Sequence, residues 1–210
     1  MQIRPLAAER HDVRRLTFGI MAEMELVWPS RAYLPSYVDA LKRGWSPDNL
    51  RGDAAAQEEL ATISENADAF LASLVDLDPT GQITLPDGTM VPRLPGYRQW
   101  MWDGAFSGSI GFRWQHGTEA LPPYCLGHIG YTVVPWKRRL GYATLALRIV
   151  LRDARERGLR YVEITTDPSN NPSQRVIEAN GGVLVEEFVT SVGYGNKREL
   201  RYRVYLERGA

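Results

Sequence analysis

The spacing of apolar residues in the first half of the chain predicts one short strand and two helices. Residues 24–28 (MELVW) alternate as a strand does, and the Pro-Ser pair that follows favours a helix ending at Gly44. From Asp53 to about Val75, apolar residues recur at helical spacing, which indicates a second amphipathic helix. Residues 76–96 contain four prolines and three glycines and therefore predict a loop.

After residue 96 the apolar period becomes two, which is typical of strands. Residues 97–102 and 107–114 flank the pair Asp103-Gly104. This pair predicts a hairpin, because Asp-Gly readily supplies the positive φ angles of a tight turn. We expect the tryptophans of the hairpin to fill core or cross-strand positions.

A strand, a helix and a second strand follow, and together they predict one crossover unit with parallel strands. The strands are predicted over 126–134 and 159–166, and the helix over about 140–157. Glu163 lies in the middle of the second strand, where a carboxylate is costly unless it is paired. We expect its partner to be Arg160 or a residue of a neighbouring strand.

The last part of the chain predicts a short helix and two strands. Asn171 directly precedes Pro172, so we expect Asn171 to cap this helix, which ends at Gly181-Gly182. Residues 183–189 and 199–206 then predict the two strands.

Composition bounds the domain organisation and the class of partner. The chain has 210 residues and is 44% hydrophobic, which suits a single domain over 23–210. Residues 1–22 have no clear period, and we expect either an N-terminal extension or an upstream start-site artefact there. Its 25 basic and 25 acidic residues provide no overall field toward nucleic acid or an anionic membrane, so we expect neither as a partner.

Cysteine content and hydropathy indicate the cellular compartment in which the protein is expected. Cys125 is the only cysteine, which excludes an intramolecular disulfide and a thiolate metal cluster and suits a reducing compartment. No stretch approaches 18 apolar residues, and the N-terminus lacks the apolar core of a signal peptide. We therefore expect a cytoplasmic protein.

The segment VVPWKRRLGYATLALRI, residues 133–149, carries the clearest chemical signal. A strand that leads through a cationic, glycine-bearing loop into a helix directs backbone N–H groups and a positive helix end at one spot, which suits a phosphate or diphosphate. The loop has neither the G-x-x-x-x-G-K-[ST] nor the G-x-G-x-x-G pattern of nucleotide-binding folds. On the loop alone, a solvated basic turn before an ordinary helix is the competing interpretation.

The residues RRLGYA at 138–143 resemble the Q/R-x-x-G-x-G/A signature of the GCN5-related N-acetyltransferases, the GNAT superfamily. Downstream, DPSNNPSQRVIEANGG is similar to the family's N-x-x-S segment, and GHIGY and VIEANGG resemble a bacterial branch of predicted acetyltransferases. The resemblance covers residues 24–206 in order and is specific over 127–182. Residues 44–96 match weakly.

The resemblance implies an α/β (α+β) fold with a central, mixed, mostly antiparallel twisted sheet of six to seven strands. This sheet is splayed between strands 4 and 5 and flanked by about four helices. Acetyl-CoA is the implied co-substrate, and no metal is implied. The implied cofactor-binding residues are Val133, Val134, Arg138, Arg139, Leu140, Gly141, Tyr142, Ala143, Thr144, Asn170 and Ser173.

The resemblance also offers candidates for the catalytic residues. His128 falls where related enzymes carry a glutamate base, and its imidazole titrates near neutral pH, but a structural strand histidine is an equal alternative. In many relatives a tyrosine four residues after the serine of the N-x-x-S segment acts as the general acid. This chain has Ile177 at that position, four residues after Ser173. Ser173, water or a tyrosine such as Tyr194 is then left to protonate the thiolate.

The expected activity is transfer of an acetyl group from acetyl-CoA to a primary amine of a small molecule or peptide, by direct attack in a ternary complex. The alternative is a non-catalytic acyl-CoA-binding or sensing module of the same fold. The acceptor is not encoded in a readable motif, and a homodimer stays open.

Overall fold

A computed structural model describes residues 23–48, 51–85 and 88–206 of the chain. The extension expected over residues 1–22 lies outside these residues. In the described residues, none of the helices is long and apolar enough to cross a membrane.

The described residues form four α-helices and ten β-strands, with two short 3-10 turns at Pro135–Lys137 and Val192–Tyr194. In chain order the elements are β1 (Glu25–Val27), α1 (Leu34–Lys42), α2 (Asp53–Ser73), β2 (Val75–Asp76), β3 (Gln82–Thr84), β4 (Met90–Pro92), β5 (Gly96–Trp102), β6 (Phe106–Arg113), β7 (Ile129–Val133), α3 (Tyr142–Glu156), β8 (Tyr161–Thr166), α4 (Asn171–Glu178), β9 (Gly182–Val189) and β10 (Arg198–Tyr205).

The strands divide into two main sheets. Strands β1, β5, β6 and β7 pair in that order, with β2 also on β5, and the second sheet has the order β8-β10-β9. Every ladder in both sheets is antiparallel. Strands β7 and β8, the fourth and fifth of the predicted sheet, share no ladder in the described residues. The predicted fold class is confirmed, and the division between the sheets lies where the splay was expected.

Two corrections concern the strands. The parallel pairing expected between β7 and β8 is reduced to contacts at one end, which are described below. Residues 76–96 are not only loop, because β3 and β4 form a small hairpin there, Ile83 opposite Val91. Each of its strands has three residues, too few for an alternating pattern to show among the prolines and glycines.

The five-stranded sheet separates two apolar cores. One core lies with α3 and includes Met101, Ile110 and Leu147, all fully buried. The other lies with α1 and includes Tyr37, Trp45 and Trp100, and the rings of Tyr37 and Trp100 stack at 4.5 Å. The expectation for the hairpin tryptophans is confirmed at Trp100 and Trp114, which are 0% and 5% exposed.

Candidate functional site

His128 and Glu163 join β7 and β8 at one end of the division between the sheets. The His128 N–H donates to the Glu163 carbonyl oxygen at 2.7 Å, and the Glu163 N–H donates to His128 Nδ1 at 2.9 Å. The backbones are so close that a Cβ at Gly127 would lie 3.1 Å from the Glu163 carbonyl oxygen. This is the closed end of the opening between β7 and β8.

The side chain of His128 is fully buried, and burial lowers its pKa to about 4, although the nearby Glu163 acts in the opposite direction. Its Nδ1 accepts a hydrogen bond, while Nε2 has no partner within the described residues. These contacts support the structural interpretation of His128. Because Nδ1 accepts this hydrogen bond, Nε2 carries the hydrogen of the neutral imidazole. The assignment of His128 as a base stays a prediction, and Nδ1 would have to give up the Glu163 N–H to take the proton.

Glu163 is paired with residues of a neighbouring strand, which was one of the two expectations for its partner. Its carboxylate accepts a hydrogen bond from Arg203 of β10 at 2.6 Å and lies 3.7 Å from Arg201. Arg160, the other expected partner, pairs with Glu119 instead. The Glu163 carboxylate is therefore held by arginines of β10, and its backbone holds β7.

Beyond His128, the edge of β7 is open. The Val134 N–H donates to the Ser107 carbonyl oxygen of the neighbouring chain segment at 3.0 Å. Because N–H directions alternate along an antiparallel strand, the N–H groups of Val133 and Tyr131 point away from β6, toward this open edge. Of the predicted pair Val133 and Val134, only Val133 therefore directs its N–H into the opening.

The turn after β7 presents exposed cations to the start of α3. Arg139 and Gly141 have positive φ angles of 66° and 81°, and Gly141 is the first flanking residue of the helix. In the described part of the chain, no side chain caps α3, and Arg139 makes no hydrogen bond or ion pair. Arg138 donates to the Val133 carbonyl oxygen at 3.3 Å. Uncapped N–H groups beside two guanidinium groups form an anion-binding geometry.

Lys137 and Tyr142, on the two sides of this turn, meet at Asp103 in the hairpin between β5 and β6. Lys137 Nζ lies 2.5 Å from one Asp103 carboxylate oxygen, and the Tyr142 hydroxyl donates to the other at 2.7 Å. Lys137 Nζ also donates to Ser107 Oγ at 3.1 Å. No sequence pattern predicted this cluster, since the pair Asp103-Gly104 indicates only a turn.

Asn170, and not Asn171, caps helix α4. The Asn170 side-chain oxygen accepts a hydrogen bond from the Ser173 N–H at 3.2 Å, and Asn171 is the first helical residue. The expectation for Asn171 was therefore wrong by one residue, because the turn at Asp167–Asn170 brings Asn170 into the capping position. The residue predicted to contact the cofactor is also the cap that orients Ser173.

Replacing Asn170 by alanine is expected to lower the free energy of unfolding by about 1 kcal/mol, because a helix cap is lost. The KM for acetyl-CoA should rise in the same variant, since Ser173 loses its orientation. The matched control is Asn171→Ala, whose side chain makes no capping bond. Thermal denaturation and steady-state kinetics measure both effects, and a larger stability loss in Asn171→Ala would contradict the assignment.

Tyr131 and Ser173 connect β7 to α4. The Tyr131 hydroxyl lies 3.0 Å from Ser173 Oγ and 3.3 Å from the Ser173 carbonyl oxygen. Burial raises the pKa of Tyr131 to about 12, so its hydroxyl is protonated at neutral pH. Ile177 is fully buried in the core, and the Tyr194 hydroxyl donates to the Tyr124 carbonyl oxygen at 2.5 Å.

Tyr131 was missed by the sequence reasoning, although a signal was present. In β7, residues of the same parity share a face, so Tyr131 lies on the face of Ile129 and Val133. Thr132, on the opposite face, accepts a hydrogen bond from the Trp45 indole at 3.2 Å. The alternation of β7 therefore separates the α4 side of the opening from the α1 side.

A surface cavity of about 420 Å³ lies elsewhere, lined by residues 114–119 and 157–159. It contains none of the predicted site residues. Among the described residues, no group of three or more His, Cys, Asp or Glu side chains is arranged to hold a metal ion. The candidate site is therefore the open edge of β7 together with the turn at 138–141.

Residues 88–183 match the profile of the family described as acetyltransferase (GNAT) domain. A search of curated proteins finds no significant match.

Solved acetyltransferase structures share the fold. A microcin C7 self-immunity acetyltransferase in complex with acetyl-CoA and AMP is similar with a TM-score of 0.57 and 11% identity, covering 87% of this chain and 92% of that chain. A Salmonella typhimurium acetyltransferase that modifies the N-terminal serine of ribosomal protein L7/L12 has a TM-score of 0.55 and 14% identity, covering 88% and 95%. A ribosomal L7/L12 α-N-protein acetyltransferase in complex with coenzyme A has a TM-score of 0.57 and 14% identity, covering 87% and 94%.

Proposed function

We propose that this chain, which belongs to the GNAT acetyltransferases through its domain at residues 88–183, transfers an acetyl group from acetyl-CoA to a primary amine. The reaction we propose is direct attack of the amine on the thioester in a ternary complex. The observation that carries the proposal is the turn at 138–141, where exposed arginines meet the uncapped start of α3.

The residues of the turn fit a diphosphate. Arg138 and Arg139 supply positive charge, and the N–H groups of Tyr142, Ala143 and Thr144 lie in the uncapped first turn of α3. Leu140 is 51% exposed beside them, so it offers an apolar contact at the surface. Negative ligands are stabilised at such helix ends by the free N–H groups and the helix dipole.

The open edge of β7 suits the amides of the pantetheine arm. Backbone groups without a strand partner can bind an extended ligand as an added strand does. The Val133 N–H points to this edge and is our candidate to stabilise the oxyanion that develops as the amine attacks. Asn170 and Ser173 lie across the opening, at the start of α4.

The chemistry requires the amine to lose a proton and the thiolate to leave. His128 is the candidate base from the sequence, and the free-amine fraction of the acceptor or a bound water is the alternative. The hydroxyl pair of Tyr131 and Ser173 supplies donors for the leaving thiolate. With a thiol pKa near 8.5, a hydrogen bond rather than full protonation is sufficient help at neutral pH.

The acceptor is proposed as a small-molecule or peptide amine. Two of the structural neighbours act on the N-terminus of a ribosomal protein, which supports the peptide class. The balanced charge of the chain supports neither nucleic acid nor membrane as partner. A cytoplasmic location is proposed from the single cysteine, and a homodimer stays a proposal.

The test of the cofactor site is Arg138→Ala. Charge-assisted hydrogen bonds contribute about 1.5–3 kcal/mol, so the affinity for acetyl-CoA should fall by about tenfold or more in calorimetry. Arg148→Ala is the matched control, because Arg148 is an exposed arginine of α3 that lies outside the turn. Equal affinity in the two folded variants would contradict the assignment.

A second measurement separates the enzyme from the non-catalytic alternative. The wild-type chain is incubated with acetyl-CoA and a library of small amines and N-terminal peptides, and released thiol is followed. Steady turnover with any acceptor excludes a purely sensing module. Tight binding of acetyl-CoA without turnover across the library would favour it.

A further inference from the structure

Asp103 contacts both ends of the turn that we assign to the diphosphate. Its carboxylate accepts from Lys137 Nζ at 2.5 Å, directly before residues 138–141, and from the Tyr142 hydroxyl at 2.7 Å, directly after them. The two contacts use different carboxylate oxygens. One side chain of the β5–β6 hairpin therefore fixes both ends of a four-residue turn.

The cluster is itself fixed in place. Asp103 and Lys137 side chains are only 13% and 18% exposed, and Lys137 Nζ also donates to the fully buried Ser107 of β6. Asp103 belongs to a tight hairpin turn, in which its carboxylate accepts from the Ala105 N–H at 3.3 Å. We call the contacts of Asp103 with Lys137 and Tyr142 the tether. The tether is thus anchored to the sheet and not to a free surface loop.

The carboxylate is ionised at neutral pH. Burial by itself would raise the pKa of Asp103, but the hydrogen bonds from Lys137 and Tyr142 outweigh it and hold the pKa below its ordinary value. The positive charge of Lys137 is therefore balanced by the Asp103 carboxylate within the cluster. Of the three consecutive cations at 137–139, only the two arginines remain for a ligand.

We propose that Asp103 is a positioning residue for the anion-binding turn at 138–141, and that Lys137 is part of this tether and not a phosphate ligand. The inference rests on the proposed function, because it concerns the same cofactor site. Asp103 acts by holding the turn open around the helix start, with Arg139 and Gly141 kept in their positive-φ conformations.

Geometry and charge predict opposite results when Asp103 is replaced by asparagine. The substitution removes one negative charge and frees Lys137, and within a Debye length of about 8 Å this charge change alone would strengthen the binding of an anion. Loss of the tether releases the turn and weakens binding, because ordering it again costs conformational entropy. The sign of the change in affinity therefore decides between the two.

The experiment measures acetyl-CoA affinity by calorimetry, and kcat and KM with an accepted amine, for wild type and three variants. In Asp103→Asn we expect about tenfold weaker binding and higher KM, with kcat at saturating acetyl-CoA changed by less than about threefold. The double variant with Asp103→Asn and Lys137→Met restores the original net charge without the tether, and it should stay weak.

The matched control is Asp153→Asn. Asp153, near the other end of α3, also accepts from a tyrosine, Tyr97 at 2.5 Å, and from an arginine, Arg157 at 3.1 Å. The Asp153→Asn variant should lose stability through the loss of these contacts and keep the wild-type affinity for acetyl-CoA.

The outcomes separate this inference from the function on which it rests. If wild type does not bind acetyl-CoA, the proposed function fails. If wild type binds and Asp103→Asn binds equally or more tightly, or if the double variant regains wild-type affinity, positioning by Asp103 is overturned. If Asp103→Asn does not fold, Tyr142→Phe removes one contact without a charge change, and unchanged affinity there overturns the inference.

Discussion

Replacing Gly141 by valine is expected to lower the affinity for acetyl-CoA by roughly a hundredfold, more than any other single change in the turn. Gly141 has a φ of 81°, a conformation that costs a β-branched residue on the order of 1–3 kcal/mol. No protein atom lies within 4 Å of the place where its Cβ would be. The added Cβ therefore meets open space, and with the diphosphate bound at this turn as we propose, strain and ligand crowding add.

A control with the same backbone strain separates these two contributions. Gly158, at the other end of α3, has a φ of 86° and also no protein atom within 4 Å of a built Cβ. Gly158→Val should lose a similar amount of stability in thermal denaturation and retain the affinity for acetyl-CoA in calorimetry. Equal affinity losses in the two variants would mean that Gly141 acts through strain alone, and the diphosphate would have to be placed elsewhere.

The strand, turn and helix of the site could be predicted because their signals are local. Alternation over β7, the cations and Gly141 in the turn, and the helical spacing of α3 all lie within about 30 consecutive residues. Each of them agrees with the element that the structure has there, β7 over Ile129–Val133 and α3 over Tyr142–Glu156.

The contacts that hold the site could not be predicted, because they join residues far apart in the sequence. Asp103 reaches Tyr142 across 39 positions, and Tyr131 reaches Ser173 across 42. A sequence pattern shows which face a side chain takes but not which element lies opposite it. The prediction of the α4 cap was wrong for a different reason. Asn170 and Asn171 have the same side chain, and only the turn before them places Asn170 in the capping position.

The pH dependence of stability is the first of two measurements on His128. Its pKa is about 4 in the folded chain, below the ordinary value near 6.5, so between these values the unfolded chain binds more protons. The contribution of His128 to the free energy of unfolding is therefore fully present above about pH 6.5 and is lost as the pH falls toward 4. The difference between the two pKa values corresponds to roughly 3 kcal/mol, which denaturant unfolding at several pH values can measure.

The His128 variants decide whether the imidazole is a tie between strands or a base. His128→Ala leaves the Glu163 N–H without its acceptor and opens a cavity, so we expect a stability loss of roughly 3 kcal/mol at pH 7. In His128→Asn, the side-chain oxygen can take the position of Nδ1 and accept the same hydrogen bond, but it cannot take a proton. A tie between strands is therefore restored by asparagine, in both stability and rate.

A base behaves differently. Removing one costs about 10²–10⁴ in rate, and asparagine would be as slow as alanine. The deficit of both variants would then shrink as the pH rises toward the pKa of the acceptor amine, because less deprotonation is required. The contacts of Nδ1 lead us to expect rescue by asparagine, with kcat/KM within about tenfold of wild type from pH 6 to 9. An asparagine variant that is fully stable and still slowed 10²-fold or more, with recovery at high pH, would instead identify His128 as the base.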